Sequence, residues 1–243
     1  MIHHHPDSNM MLEYASGSLS WAHSLVVSAH VQLCPKCAAQ MKLLNGIGGT
    51  LLAASEPVTA APAPEDSFAR LMARIDEETG TSSAEPKPEE QQNEKRPANA
   101  AGTRSRKAKR DPIFAAVPPV VEKLLTTNPV LSWRRLSRGL KEARLTTGQN
   151  RHEVAFHRIA PGSKVAEHDH RGKEITMVLY GSFSDADGVY STGDFLVREP
   201  GEVHRPTATQ DQECLCLSVV EAPVALTGFW GKVINPFLSV RPS

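Results

Sequence analysis

The chain has 243 residues, and its 27 basic side chains balance its 27 acidic ones, so bulk electrostatics singles out no partner. The length exceeds one small domain. The opening residues lack the basic-then-apolar pattern of a secretory leader, and the longest apolar stretch, 25–31, is broken by Ser28 and His30, so a cytoplasmic protein without a membrane span is expected. The four cysteines fall in two close pairs, Cys34/Cys37 and Cys214/Cys216, which in a reducing compartment points to metal or redox chemistry rather than disulfide staples.

Residues 1 to about 55 predict three helices. Asp7 or Ser8 can cap the first, which carries Met10, Met11, Leu12 and Tyr14 and closes near Gly17. Ser20 can cap the second, with Ala22, Leu25, Val26, Ala29 and Leu33 on its apolar face. The third starts at Pro35 and repeats Ala38, Met41, Leu44, Ile47, Gly48 and Leu51 at three-to-four spacing. Across the joint reads His30-x3-Cys34-x2-Cys37, with a histidine run, His3 to His5, upstream. Two histidines and two thiols are the ligand set of a closed tetrahedral zinc site. Pro35 disfavours helix at Cys34, placing that thiol on the corner and Cys37 on the first turn of the next helix. So small a bundle buries little surface, and a metal pinning two helices compensates for that. The plainer alternative is a helical bundle with two buried thiols.

A Pro/Ala break at 56–65 precedes an amphipathic helix over about 66–78, with Phe68, Leu71, Met72 and Ile75 at i, i+3, i+4 and i+7. That stripe either packs back on the first helices or docks a partner. Residues 80–111 are rich in Pro, Glu, Lys, Ala, Ser and Asn and read as a disordered tether. The tether ends in a basic run at 104–110 with no interleaved aromatic residue, which favours a solvated linker over nucleic-acid binding.

Beyond Pro112 the text changes to short apolar strands, at 154–159, 175–179, 195–197 and 214–219, separated by Gly, Pro and Asp turns. This predicts an antiparallel barrel or jelly roll. Within it stands Gly162-x5-His168-x-His170-x3-Glu174-x6-Gly181, followed by Gly193, Glu199, Gly201 and His204. His168 and His170 are two apart, so a strand points both to one side. Three imidazoles and a carboxylate suit Zn²⁺, Mn²⁺, Fe²⁺ or Ni²⁺. Cys214 and Cys216 also share one side of a strand, as core thiols or as a redox or accessory metal pair.

The first of these blocks resembles the first cupin motif in full. The second resembles the second motif at Gly193, Gly201 and His204, and departs from it at Glu199 and Ala208, where Pro and Asn are usual. A zinc-type helical head followed by a cupin barrel resembles the ChrR family of anti-sigma factors along nearly the whole chain. The spacing leaves His3, His4 and His5 open; the family register, nine residues before Tyr14, selects His5. The resemblance implies an α + β protein of two domains: a zinc-pinned helical bundle over 1–79, joined by the tether at 80–111 to a cupin β-barrel over 112–243. It implies Zn²⁺ on His5, His30, Cys34 and Cys37, and a second divalent metal on His168, His170, Glu174 and His204. It further implies that the head and its amphipathic helix, through Phe68, Leu71, Met72 and Ile75, clamp an extracytoplasmic-function (group IV) sigma factor. The barrel would sense a stress, such as singlet oxygen or organic peroxide, and promote release, with neither direct nucleic-acid contact nor membrane attachment. The rival reading is a metal-dependent cupin dioxygenase, which the barrel alone permits.

Overall fold

The computed structural model describes residues 1–55, 64, 66–79, 111–149, 151–222 and 224–226. The tether expected at 80–111, apart from Asp111, lies outside the described residues, as do the basic run at 104–110 and most of the break at 56–65. The chain divides into two compact units, Met1–Ala53 with Lys109–Ser243, and Ala54–Ala108.

Helix α1 (Ser8–Ser16) is capped by Asp7, whose carboxylate accepts the Met10 N–H at 2.7 Å, and it closes on Gly17 in the left-handed conformation. Helix α2 (Trp21–Leu33) is capped by Ser20. It stops at Cys34, which is extended at φ −102 and ψ 106 as the following proline requires. Pro35 then opens α3 (Pro35–Ala54). Met10, Met11, Ala22, Leu25, Val26, Val27 and Ala29 are buried, as the helical pattern predicts. Helix α3 behaves differently. Of its side chains only Cys37 is buried; Met41 and Leu44 are half-buried, while Leu43, Ile47, Leu51 and Leu52 are exposed. Its first turns meet the body of the unit and the rest carries apolar side chains at the surface.

Helix α4 (Ser67–Thr79), in the second unit, lies within one residue of the expected span. Phe68, Leu71, Met72 and Ile75 are 73 %, 53 %, 41 % and 42 % exposed.

After Asp111, whose carboxylate accepts from Arg158 Nη1 at 2.6 Å, a 3₁₀ turn at Pro112–Phe114 leads to helix α5 (Pro119–Thr127). Among the described residues twelve strands follow: β1 (Arg134–Arg135), β2 (Leu140–Arg144), β3 (Glu153–Ile159), β4 (His168–His170), β5 (Glu174–Tyr180), β6 (Ser182–Ser184), β7 (Val189–Ser191), β8 (Phe195–Arg198), β9 (Val203–His204), β10 (Thr207–Ala208), β11 (Cys214–Val220) and β12 (Val224–Leu226). They form three antiparallel sheets in the orders β1-β2-β3-β11-β5-β8, β10-β6-β7 and β12-β4-β9. The four strands expected from sequence are β3, β5, β8 and β11, each within a residue or two of its predicted ends. Gly181 links β5 to β6 at φ +70, where a Cβ would collide with the Glu213 carbonyl, so this motif position admits only glycine.

Residues 1–53 and the barrel share one hydrophobic core. Helix α2 packs on α5, β5 and β11, and Val26 and Val27 belong to the same cluster as Phe156, Leu215 and Leu217. The N-terminal arm is tied to the barrel by backbone. The N–H groups of His3 and His4 donate to Asp194 Oδ1 at 2.7 and 2.9 Å, and the Phe195 N–H donates to the His4 carbonyl at 3.1 Å. Among the described residues no helix is long and apolar enough to cross a membrane.

Candidate metal centres

The corner between α2 and α3 gathers the four head residues. His5 Nδ1 lies 3.3 Å from His30 Nε2, 3.4 Å from Cys34 Sγ and 3.5 Å from Cys37 Sγ, and His30 Nε2 lies 3.3 Å from Cys37 Sγ. Donors around a tetrahedral zinc with ordinary Zn–N and Zn–S bonds are separated by about 3.3–3.6 Å. The four atoms therefore fit one ion. His30 Nδ1 donates to the Gly193 carbonyl at 2.8 Å, which leaves the Nε2 lone pair facing the cluster. Burial lowers the pKa of His30 and of His5, so both rings are neutral and ready to ligate. Burial, then the adjacent Cys34, pushes the Cys37 thiol up to about 11, so without a cation this thiol holds its proton. Either His3 or His4 would also satisfy the spacing, yet their backbone is committed to Asp194, and it is His5 that enters the cluster.

The barrel brings three of the second set, His168, His170 and His204, within reach of one ion, and sets Glu174 beside His170 rather than within that group. His168 on β4 pairs across the sheet with His204 on β9, and their Nε2 atoms are 3.0 Å apart. His170 Nδ1 lies 3.1 Å from Glu174 Oε2 at the start of β5. Donor pairs of an octahedral first-row ion are about 3.0 Å apart, and those of a tetrahedral one about 3.4 Å. Both His170 ring nitrogens are buried and neither is well aligned for a hydrogen bond, which leaves the ring able to take a ligand's place. The other two rings are oriented from behind. His168 Nδ1 donates to the Ala166 carbonyl at 2.9 Å, and His204 Nδ1 donates to Asp185 Oδ2 at 3.1 Å. Thr176 Oγ1 donates to Glu174 Oε1 at 2.9 Å, leaving Oε2 turned to His170. Burial alone would raise the Glu174 carboxyl, but His170 and the neighbouring rings outweigh it and hold the pKa at about 2. Burial, then the His168 ring, brings His204 down to about 4. A cavity of about 400 Å³ opens onto this cluster, bordered by Glu142, His157, Thr176 and Cys216.

Cys214 and Cys216 on β11 are buried with their sulfurs 3.7 Å apart. The hydrogen bond that the Cys216 thiol donates to Cys214, then burial, raises its pKa. The sequence pattern did not reveal the groups that orient the ligands: Gly193 and Ala166 act through carbonyls, which carry no residue signal. Asp185 and Asp194 sit in Gly/Asp turns, where an acidic residue is read as turn chemistry.

Residues 121–224 match the family model of the ChrR cupin-like domain. The anti-sigma-E factor ChrR of Cereibacter sphaeroides is 32 % identical over 240 residues, 98 % of this chain and 99 % of that one. The crystal structure of Rhodobacter sphaeroides SigE in complex with the anti-sigma ChrR superposes with a TM-score of 0.65 at 29 % identity, covering 90 % of this chain and 99 % of that chain. With identity of this level along the length of both chains, helical head and cupin barrel together, the chain belongs to the ChrR family.

Proposed function

We propose that this chain is a zinc-dependent anti-sigma factor that sequesters a group IV (extracytoplasmic-function) sigma factor in the cytoplasm and releases it under a stress such as singlet oxygen or organic peroxide. The observation that carries the reading is the match of head and barrel together to a protein named as an anti-sigma factor and solved with SigE. Zn²⁺ on His5, His30, Cys34 and Cys37 holds α2 and α3 in register. A second divalent ion, Zn²⁺ or another first-row metal, sits on His168, His170, Glu174 and His204. The sigma factor docks on the apolar stripe of α4, Phe68, Leu71, Met72 and Ile75, whose exposure supports this role. Leu43 and Ile47 of α3 offer a further apolar surface of the same kind. On this reading residues 1–79 bind the sigma factor, 80–111 act as tether and 112–243 sense the signal. The barrel regulates release rather than turning over a substrate.

The test is co-purification with the cognate sigma factor. Leu71→Asp or Met72→Asp forces a charge into an apolar contact and weakens binding by about 2 kcal/mol, roughly 30-fold in Kd. Unchanged affinity removes α4 from the interface. Steady metal-dependent O₂ uptake by the purified chain, abolished by Glu174→Ala, supports the dioxygenase reading instead.

A further inference from the structure

A third group of metal-type donors lies where α2 meets the barrel, away from both centres described above. His23 is on the first turn of α2, His152 stands just before β3, and Glu221 just after β11. His23 and His152 are 7 % and 8 % exposed, and their rings meet edge to face with centroids 4.8 Å apart. Glu221 Oε1 lies 3.5 Å from His23 Nε2 and 3.9 Å from His152 Nε2. The three donor atoms all fall within 4.8 Å of one another. His23 Nε2 is buried and has no hydrogen-bond partner.

An ordinary ion pair does not account for this arrangement. Both imidazole–carboxylate distances exceed a good hydrogen bond, and they approach the separation of about 3.4 Å between ligands of a tetrahedral ion. One carboxylate oxygen faces two rings, and protonating both rings would set two buried cations side by side. Burial, then the neighbouring His152 ring, lowers His23 to about 4, and burial lowers His152, so both rings are neutral donors. The second carboxylate oxygen is already engaged: the Lys173 N–H donates to Glu221 Oε2 at 3.3 Å, which turns Oε1 toward the histidines. The Lys173 ammonium itself pairs with Glu199 at 3.1 Å. Glu221 is 40 % exposed, so its side of the cluster opens to solvent and leaves room for a water ligand.

We propose that His23, His152 and Glu221 form a third divalent-metal site, for a first-row ion of the zinc type, which clasps helix α2 to the barrel. Two imidazoles, one carboxylate and an open position suit Zn²⁺, Co²⁺ or Ni²⁺. Because the ligands come from both regions, the ion fastens the head to the barrel directly, without passing through either of the other centres.

The test uses the full chain with its first two centres already loaded with zinc. Zn²⁺ is then titrated by calorimetry, and the metal content after desalting is measured by elemental analysis. The wild-type chain takes up one further equivalent. Glu221→Gln, at a half-open position where folding is unaffected, and His152→Ala each lose that equivalent and keep the other two. Co²⁺ added in place of Zn²⁺ quenches Trp21, which lies two residues before His23 on α2, and Glu221→Gln abolishes the quenching; Trp21→Phe identifies the reporter. The proposal is overturned if the wild-type chain takes no further equivalent, if the extra ion persists in both variants, or if it binds without quenching Trp21.

Discussion

The head and barrel centres use similar donors but are held in different ways. The barrel cluster sits on paired strands, β4 and β9, and the groups that orient its ligands, Ala166, Thr176 and Asp185, are barrel residues. The head cluster sits at a helix corner and on an N-terminal arm, and its orienting contacts come from elsewhere. Gly193 fixes the His30 ring, and Asp194 and Phe195 fix the strand of chain that carries His5. The barrel is thus self-sufficient, whereas the head borrows part of its order from the barrel. The two are also connected. Asp194 directly precedes β8, which opens on Phe195 and whose last residue, Arg198, pairs at 2.7 Å with the Asp185 carboxylate that orients His204.

The sharpest way to break the comparison is to empty the head. Cys34→Ser or Cys37→Ser should abolish zinc binding there and sigma binding with it, because a structural zinc contributes on the order of 10 kcal/mol to so small a fold. The barrel should keep its metal in the same sample. Metal content and a pull-down measured together check this, and sigma binding that survives loss of the head zinc would show that the ion is dispensable.

Acid should act on the barrel next. Burial alone would raise the Glu142 carboxyl, but His157 at 3.6 Å and Arg144 at 3.0 Å outweigh it and hold its pKa at about 2. A depressed carboxylate contributes stability that is fully present above its unfolded pKa of about 4.5 and is lost as pH falls toward 2. The shift corresponds to roughly 3 kcal/mol. Glu142→Gln should therefore lower stability at pH 7 and flatten its dependence between pH 4.5 and 2. Chemical denaturation across that range gives the readout; an unchanged slope would remove Glu142 as its source.

Cutting the chain tests the borrowing itself. A head of residues 1 to about 80 should retain sigma inhibition but hold zinc about 10–100-fold more weakly than the full chain, the usual effect of losing an orienting hydrogen bond. Competition with a chelator measures the ratio, and equal affinities would mean that the Gly193 contact does nothing for the ion. The converse, smaller and confined to the barrel, is Asp185→Asn. It should weaken the barrel metal by about 10-fold, at the low end of that range because the amide oxygen still accepts from His204, with the head site unmoved. A loss of head zinc in this variant would show that strain passes along β8.

The sequence made the candidate ligands legible and left their supports obscure. His30, Cys34 and Cys37 carry their own register, and Pro35 marks the corner, because a proline's effect on its neighbour is local. Strands β3, β5, β8 and β11 were readable from their apolar runs; β1, β9 and β10, of two residues each, were too short to leave a pattern. The docking of α2 on the barrel had no local signature, since a helix with Ala22, Val26 and Ala29 on one face looks the same whether it packs on helices or on a sheet. The apolar repeat of α3 predicts a buried face, yet Ile47 and Leu51 are exposed, because periodicity reports a stripe and not what covers it. His23, His152 and Glu221 meet only through the fold and form no motif.

The tie between the arm and Asp194 also sets an order of events during synthesis. Residue 3 leaves the ribosome first, but its partner lies 191 residues later in the chain. At bacterial translation rates that interval is about 10–40 s. Until then the arm that carries His5 lacks its backbone ties to Asp194 and Phe195, and the frame of the candidate head site is completed only when β8 has emerged.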